Sequence, residues 1–269
     1  MAEGMGMANA TGMRIAALQA PVLDSPQARI DWLATYLPQA RADGAHLVAL
    51  PELFAHGYHI AERLADRAEP RDGPTATAMA ELARANGVAV LYGYAERADG
   101  VIYNSAACVD AQGRIIGHHR KLAIPPGFER SIFTPGQGVR VFTLHGVRIA
   151  ILICYDAEFP ETARYAASLG AQVIVVPTAL GAAWGWVAGR MIPTRGFENG
   201  VYLAYINHAG TENGLDYLGQ SIIVAPDGED MARAGAGPEM IVADIHVARV
   251  AAAQARLPYL SDREALVLE

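Results

Sequence analysis

A cysteine stands at the end of an apolar segment, where it could act as a nucleophile. Cys154 closes the run 147–153, which is predicted to be a strand. In α/β proteins the ends of strands carry reactive groups, because a rigid sheet aims the side chain into a crevice. A thiolate there could attack an electrophilic carbon, and free backbone N–H groups near Tyr155 could bind the resulting anion. A cysteine can also be a small buried hydrophobe, and Cys108, in the middle of another predicted strand, fits that description better.

A carboxylate and a cation follow two further apolar segments. Glu52 comes shortly after the run 45–50, where loss of water would raise its pKa toward the range of a general base. An exposed loop glutamate is the alternative. Lys121 comes shortly after the predicted strand 114–118 and, taken alone, is typical of a solvated basic edge, since lysine is rarely fully buried.

The motifs predict neither a metal nor a nucleotide cofactor. His118 and His119 are adjacent, and successive residues of a strand point to opposite faces, so the two would not ligate one ion together. Cys-x-x-Cys and His-Glu-x-x-His are absent, as are Gly-x-Gly-x-x-Gly after a strand and the Gly-Lys-Ser/Thr of phosphate-binding loops. The sequence also lacks Gly-x-Ser-x-Gly, the turn that carries the nucleophile of many serine hydrolases.

The composition is that of a soluble globular protein. The 269 residues are 52% hydrophobic and 18% charged, and the net charge of −7 with no basic block argues against a nucleic-acid binder. No apolar run approaches the ~20 residues that span a membrane, and residues 1–12 lack the charged start and apolar centre of a secretory signal. Two cysteines cannot build a disulfide framework, which favours a reducing compartment and predicts a cytoplasmic protein.

Strand-length and helix-length patterns alternate along the chain. The predicted strands cover 13–19, 45–50, 88–95, 101–109, 114–118, 139–144, 147–153, 173–176, 201–207, 218–225 and 240–245. The predicted helices cover 25–42, kinked or ended by Pro38, 75–85, capped by Thr75, 160–170 and 184–199. We therefore expect one α/β domain over 13–250, a disordered leader at 1–12 and a C-terminal tail at 251–269. Periodicity leaves a doubly wound sheet, a barrel and a stacked-sheet sandwich open.

Glu52, Lys121 and Cys154, together with the segments around them, resemble the nitrilase superfamily of carbon–nitrogen hydrolases. The matching segments at the three residues are 50–54 with 57–58, 120–121, 153–156 and 159–161. Smaller matches run in family order at 103–105, 133–136, 176–179, 195–199, 219–221 and 226–228. Each match is weak alone, but the ordered set covers nearly the whole of 13–250 and is specific.

The resemblance implies a four-layer α-β-β-α sandwich and a Glu-Lys-Cys triad. In such a triad Glu52 takes the proton of the Cys154 thiol, and the thiolate attacks an amide carbon. Lys121 and the backbone N–H of Tyr155 stabilise the oxygen anion of the tetrahedral intermediate. Ammonia leaves, water hydrolyses the remaining thioester, and no cofactor is needed.

The resemblance implies further site residues and a partner. Glu129, eight residues after Lys121, would position the substrate or hold the triad, the alternative being a loop carboxylate paired with Arg130. Asp156 would anchor the loop of the nucleophile. The family also implies a homodimer or higher homo-oligomer, in which 251–269 could reach a partner chain. The substrate pocket would be lined by Tyr58, Tyr155, Ala179, Trp184 and Trp186.

The substrate is expected to be a small amide, with no nucleic acid or membrane as partner. Segments 91–97, 154–161 and 202–205 are most similar to bacterial aliphatic amidases of the 5-aminopentanamidase kind, whereas 122–126 departs from the family pattern. The leading hypothesis is an amidase that acts on linear amides and releases ammonia from a primary carboxamide. The alternatives are an N-carbamoyl amine hydrolase, which would also release carbon dioxide, then a nitrilase, and, from a different class, an inactive binding protein with the same fold.

Overall fold

The apolar segments form two large β-sheets in the computed structural model, which describes residues 12–60 and 63–267. The seven strands of the first sheet are β1 (Gly12–Pro21), β2 (Leu47–Ala49), β3 (Ala89–Ala98), β4 (Val101–Val109), β5 (Ile115–Arg120), β10 (His208–Ala209) and β15 (Glu239–His246). The six strands of the second are β6 (Val141–Leu144), β7 (Val147–Ile151), β8 (Val173–Pro177), β9 (Tyr202–Ile206), β13 (Ile222–Val224) and β14 (Asp230–Arg233). A separate hairpin consists of β11 (Thr211–Glu212) and β12 (Leu215–Asp216).

Eight α-helices accompany these strands in the described ranges. They are α1 (Pro26–Ala42), α2 (Arg63–Arg67), α3 (Pro74–Asn86), α4 (Glu129–Ile132), α5 (Pro160–Ser168), α6 (Ile192–Asn199), α7 (Val247–Arg256) and α8 (Tyr259–Asp262). Helices α1 and α3 pack on the first sheet, and α5 and α6 pack on the second.

The two sheets pack face to face between the helical layers. Because successive strand residues point to opposite faces, Ile15 and Ala17 of β1 join the apolar cluster between the sheets, whereas Ala16 and Leu18 pack toward α1 and α3. The second sheet is likewise apolar on both faces, which explains the continuous hydrophobic run of β8. The expected four-layer α-β-β-α sandwich is confirmed.

Strand direction brings the ends of several strands to one edge. β2 pairs parallel with β3, and β3, β4 and β5 are joined by antiparallel pairings, so β5 runs in the same direction as β2. In the second sheet β7, β8 and β9 are parallel. The Glu52 N–H donates to the Thr178 carbonyl at 3.3 Å, so the segments that follow β2 and β8 meet. The segments after β2, β5 and β7 carry the three residues singled out from the sequence.

Two helix boundaries differ from those that the sequence signals predict. Pro38 lies inside α1 without ending it, because buried Leu33 and Leu37 fix the helix against the sheet, and this burial offsets one missing helical hydrogen bond. Thr75 does not cap α3: the N-cap is Gly73, and the N–H of Thr75 donates to the Glu69 carboxylate at 3.2 Å.

The predicted helix 184–199 contains a change of register. A π-helical segment, Val187–Met191, precedes α6, and Pro193 lies in the first turn of α6. Proline has no N–H with which to continue a regular helix, and the π-helical turn shifts the register just before it.

The predicted domain limits differ from the observed elements. Gly12 belongs to β1, and residues 1–11, the rest of the predicted leader, lie outside the described residues. The limit at 250 falls inside α7, where Val250 packs into the cluster between the sheets. Across 12–60 and 63–267, no helix has both the length and the apolar character needed to cross a membrane.

Candidate active site

Glu52, Lys121 and Glu129 form a buried cluster of charges. The Lys121 ammonium donates to Glu52 Oε1 at 2.7 Å and to the two carboxylate oxygens of Glu129 at 2.8 and 3.0 Å. All three side chains are at most 1% exposed. Glu129 is therefore paired with Lys121 and not with Arg130, whose guanidinium donates to the Ile124 carbonyl.

One oxygen of the Glu52 carboxylate is fully engaged and the other is not. Oε1 accepts from Lys121 and from the side-chain amide of Asn104, each at 2.7 Å, whereas the buried Oε2 has no hydrogen-bond partner in the described part of the chain. A buried polar atom without a partner is uncommon and marks a position where a proton or a ligand can bind.

The pKa of Glu52 lies within the range of a working base. Burial raises it to about 7; the ammonium of Lys121 opposes this effect and the charge of Glu129 adds to it. Burial by itself would lower the pKa of Lys121, but the carboxylates of Glu52 and Glu129 outweigh it and raise this pKa above its ordinary value. Lys121 therefore remains an ammonium, whereas Glu52 can exchange a proton near neutral pH.

The backbone around Glu52 depends on a close approach to β3. Leu53 has a φ of +50°, and a Cβ atom at Gly93 of β3 would lie 2.4 Å from the Leu53 nitrogen and 2.7 Å from the Pro51 oxygen. Only glycine leaves room for this loop, which the sheet holds rigidly. The sheet therefore fixes the position of the Glu52 backbone.

Cys154 lies at a strained turn just beyond β7. Its φ of +44° is unfavourable for a residue with a side chain, and it begins the 3-10 helix Cys154–Glu158. The first bond of that helix runs from the Asp156 N–H to the Ile153 carbonyl, so the N–H groups of Cys154 and Tyr155 precede it and lack an intrahelical acceptor. The turn thus presents a sulfur and free amide donors together.

The thiol of Cys154 is protonated at rest. Burial raises its pKa and the Glu52 carboxylate raises it further, while Lys121, the Thr178 hydroxyl and the Ala179 amide oppose the shift without cancelling it. Because the thiolate is the nucleophile, a base must take the proton when Cys154 reacts. Glu52, whose pKa of about 7 suits a general base, is the candidate for that role.

Asp156 ties the cysteine turn to the lysine loop. Its carboxylate accepts from the N–H groups of Ile153, Leu122 and Ala123 at 2.8–3.0 Å and contacts Nε2 of His119 at 3.0 Å. The neighbouring His118 contacts Glu96 instead, on the opposite face of β5. Across the described ranges, no three His, Cys, Asp or Glu residues are arranged to hold a metal ion.

A cavity of about 500 Å³ opens beside Cys154 and Glu129. Four of the predicted pocket residues line it: Tyr58, Tyr155, Ala179 and Trp184. The remaining wall is made of His59, Pro125, Pro126, Phe128, Glu158, Leu180, Gly181 and Leu215. The Tyr58 hydroxyl also donates to Glu129 at 2.7 Å, which connects the pocket wall to the charged cluster.

The prediction that Trp186 lines the pocket was wrong. Its side chain is 72% exposed, and its ring lies 5.9 Å from the Arg190 guanidinium carbon. Trp184 and Trp186 are two residues apart in a helical segment, and such neighbours point to nearly opposite sides. Only Trp184 can then face the cavity.

Three site residues were not identified from the sequence. Asn104 contacts Glu52 and Glu129 at 2.7 and 3.3 Å, and its only sequence signal is the family match at 103–105. Glu158 lies within the matched cysteine segment but was not assigned a role there. Glu212 accepts from the N–H groups of Tyr58 and His59, and it lies on a short hairpin without a recognisable pattern.

Comparisons with known proteins identify similar chains. The family model described as carbon-nitrogen hydrolase matches residues 14–255. An (R)-stereoselective amidase of Pseudomonas sp is 34% identical over 227 residues, covering 84% of this chain and 82% of that protein. An N-carbamoylputrescine amidase of Solanum lycopersicum is 33% identical over 256 residues, covering 85% of this chain and 84% of that protein.

A solved structure is similar over nearly the whole chain. A mutant of the amidase from Nesterenkonia sp. AN1 superposes with a TM-score of 0.81 at 32% identity, covering 96% of each chain. That structure shows covalent addition of the acetamide moiety of fluoroacetamide at the active-site cysteine of the amidase.

Proposed function

The chain belongs to the carbon–nitrogen hydrolase family of the nitrilase superfamily, and we propose that it is an amidase that hydrolyses a primary carboxamide to a carboxylate and ammonia. The observation that carries this proposal is the unpaired Oε2 of a buried Glu52 whose pKa is about 7, in a charged cluster that borders the same cavity as Cys154. Nucleophilic attack by a neutral thiol requires a base that can take its proton, and a base works best when its pKa is near the working pH.

The first half of the reaction forms an acyl-enzyme. Glu52 takes the thiol proton, and the Cys154 sulfur forms a bond to the amide carbon, whose oxygen becomes an anion. The ammonium of Lys121 and the N–H of Tyr155 stabilise this anion. Glu52 then gives its proton to the amide nitrogen, the carbon–nitrogen bond breaks, and ammonia leaves a thioester on Cys154.

The second half restores the enzyme. Water, deprotonated by Glu52, attacks the thioester carbon through a second tetrahedral anion at the same donors. The carbon–sulfur bond breaks, the proton on Glu52 returns to the sulfur, and the carboxylic acid leaves and ionises to the carboxylate in water. Water and the groups of this site supply every proton, so the scheme needs no cofactor. Because Cys108 and Cys154 are both free, we infer that the enzyme works in the reducing environment of the cytoplasm.

A second candidate is hydrolysis of an N-carbamoyl amine. The similarity to a plant N-carbamoylputrescine amidase over most of both chains supports it. The chemistry at Cys154 would be the same as far as the acyl-enzyme, but the product would be a carbamate that decomposes to carbon dioxide and an amine. A protein of the same fold that binds without reacting is the remaining alternative.

One experiment separates these activities. The protein is incubated with a primary aliphatic amide, an N-carbamoyl amine and a nitrile, while ammonia and carbon dioxide are measured, with Cys154→Ala as the blank. We expect ammonia without carbon dioxide from the amide. Turnover of the nitrile alone, or carbon dioxide from the carbamoyl amine with no reaction of the amide, would show that the amidase assignment is wrong.

A further inference from the structure

A second cavity, of about 460 Å³, lies at β5, the edge strand of the first sheet. Three arginines from separate segments line it: Arg71 before α3, Arg120 at the end of β5 and Arg140 before β6. His118 and His119 line it as well. In the described ranges, the lining of this cavity contains no aspartate or glutamate and shares no residue with the substrate cavity. In a chain with a net charge of −7, such a group of cations indicates a negatively charged ligand.

A carboxylate behind the cavity balances only part of this positive charge. The buried Glu96 accepts two hydrogen bonds from the Arg120 guanidinium, at 2.6 and 3.1 Å, and lies 2.8 Å from Nε2 of His118. Burial would raise the pKa of Glu96, but hydrogen bonds, those of His118 and Arg120 first among them, outweigh burial and hold this pKa below its ordinary value. Glu96 is therefore ionised and neutralises Arg120. Arg71 and Arg140 are exposed and have no hydrogen-bonded or ionic side-chain partner in the described part of the chain, so two positive charges remain.

The wall that carries these charges is held in place. Arg120 is fixed by its ion pair and by Tyr103, whose ring centre lies 3.9 Å from the guanidinium carbon. The loop 133–140 is tied to the end of β5, because the Gly136 N–H donates to the Lys121 carbonyl at 2.7 Å. A Cβ atom at Gly136 would collide with the Arg120 carbonyl, so the loop approaches the strand as closely as its backbone allows. A wall that is ordered before binding loses little entropy when a ligand binds.

The chemistry of this wall suits a phosphate group. A guanidinium group offers paired N–H donors that match the oxygens of a phosphate or a carboxylate. A carboxylate has two oxygens in one plane, which a single arginine can satisfy. A phosphate group has three terminal oxygens that point in different directions, and its charge near neutral pH approaches the two charges left over here. Thr134 and Gln137 add uncharged donors to the same wall.

We propose that this cavity binds a phosphate group, which Arg71, Arg120 and Arg140 hold at the edge of β5. Its volume lies in the range of about 300–1,000 Å³ that is usual for small-molecule sites, so it has room for the rest of a small phosphorylated molecule. The inference goes beyond the proposed amidase function and does not depend on it, because the two cavities have separate walls.

The test is a binding titration of the full chain. Isothermal titration calorimetry is carried out at about pH 8, where a phosphate group carries close to two charges, and in about 0.1 M sodium chloride, which screens weak surface attraction. The probes are inorganic phosphate, pyrophosphate and ribose 5-phosphate, with succinate as a dicarboxylate of similar charge. We expect one-to-one, saturable binding of at least one phosphate probe, about tenfold or more tighter than succinate. The comparison of inorganic phosphate with ribose 5-phosphate distinguishes the free ion from a phosphorylated molecule.

Two arginine substitutions test the wall, and a third is their control. Arg71→Gln and Arg140→Gln each remove an exposed charge, so the fold should tolerate both. Each should weaken binding of the phosphate probe by about fivefold or more, the loss of one charge-assisted contact. Arg84→Gln removes the same charge from an exposed position of α3 that does not line the cavity, and it should leave the affinity within about twofold. Thermal melts followed by circular dichroism verify that all three variants are folded.

Three results would overturn the phosphate site. The first is a wild-type protein that shows no saturable binding of any phosphate probe at concentrations up to about 10 mM. The second is equal affinity for succinate and the phosphates, which would indicate a surface that attracts any anion. The third is an equal loss of affinity in Arg84→Gln and the two cavity variants, because the net charge of the protein alone would then account for binding.

Discussion

The residues around Cys154 allow a proton to move without changing the charge of the site. With a neutral thiol, the buried cluster holds one ammonium and two carboxylates. A thiolate formed by loss of the proton to water would add a further buried negative charge, which is costly in a medium of low polarity. Transfer from Cys154 to Glu52 leaves the net charge unchanged. The unpaired Oε2 of Glu52 therefore explains how a thiol with a raised pKa can react near neutral pH.

The nucleophile is tested by comparing the two cysteines. Cys154→Ala should lower kcat/KM for a primary amide by about 1000-fold or more, since the acyl-enzyme cannot form. Cys108 is fully buried between the sheets, and Cys108→Ala should leave kcat/KM within about threefold. Initial rates of ammonia release give both values, and mass spectrometry after iodoacetamide should find Cys154 modified before Cys108. Wild-type turnover in Cys154→Ala would rule out the nucleophile assignment.

The pH dependence reports on Glu52. Its carboxyl group must be ionised to take a proton, and its pKa is about 7, so kcat/KM should fall as the pH decreases through about 7. The negative charge of Glu129 raises this pKa, so Glu129→Gln should move the acidic limb of the profile to lower pH as well as reduce the rate. Glu81→Gln, on an exposed position of α3, serves as the control and should leave the limb in place. An acidic limb that stays fixed or moves upward in Glu129→Gln would contradict the role of Glu52.

The sequence could predict the reactive residues but not their contacts. Residue type and position after a strand make Cys154, Glu52 and Lys121 candidates, and the ordered resemblance to the nitrilase superfamily assigns them together. The bridge from Asn104 to Glu52 depends on the pairing of distant strands. The free oxygen of Glu52 could not be predicted either, because it results from the sum of all its neighbours.

Among the elements, the short β11–β12 hairpin makes several buried polar contacts near the site. Its Glu212 accepts from the Tyr58 and His59 N–H groups at 3.1 and 2.6 Å and from the Tyr217 hydroxyl at 2.6 Å. It also pairs with Arg29 of α1 at 3.3 Å, and both side chains are nearly inaccessible to water. The hairpin thus connects a helix of the outer layer to the loop that carries Tyr58. Long periodic strands such as β1 were predicted, whereas strands of two residues have no period to detect.

Removing the Glu212 carboxylate should destabilise the protein and weaken the site. Glu212→Ala leaves the buried guanidinium of Arg29 without its anion, which should lower the free energy of unfolding by about 3 kcal/mol or more. Loss of the acceptor for the Tyr58 N–H should also reduce kcat/KM. Urea denaturation followed by fluorescence measures the first effect. Glu229→Ala, which removes an exposed partner of Arg249, is the control and should cost about 1 kcal/mol or less. A Glu212→Ala protein as stable as this control would show that Glu212 does not stabilise the protein by linking α1 to the loop that carries Tyr58.

On the scale of the whole molecule, the outer helical layer of the second sheet is a candidate contact surface. Helices α5, α6 and α8 pack beside one another there. Several of the large apolar side chains of this layer remain open to solvent, with exposed fractions of 37–51%: Phe159, Tyr165, Leu169, Phe197 and Tyr259. Exposed apolar side chains grouped on one face are typical of an interface with another protein.

We expect two copies of the chain to associate through this layer, which includes part of the C-terminal segment 251–269. Tyr165 is 51% exposed on α5, and Tyr165→Asp would place a charge in the interface, where burial of an unpaired carboxylate is costly. Ala85→Asp places the same charge on exposed α3 of the opposite layer. Light scattering after size exclusion should give at least a dimer for the wild type and for Ala85→Asp, and a monomer for Tyr165→Asp. Since α5 follows directly from the segment that bears Cys154 and Glu158, the monomeric variant should also lose activity. A wild-type monomer, or dissociation caused only by the substitution on α3, would show that this layer is not the contact surface.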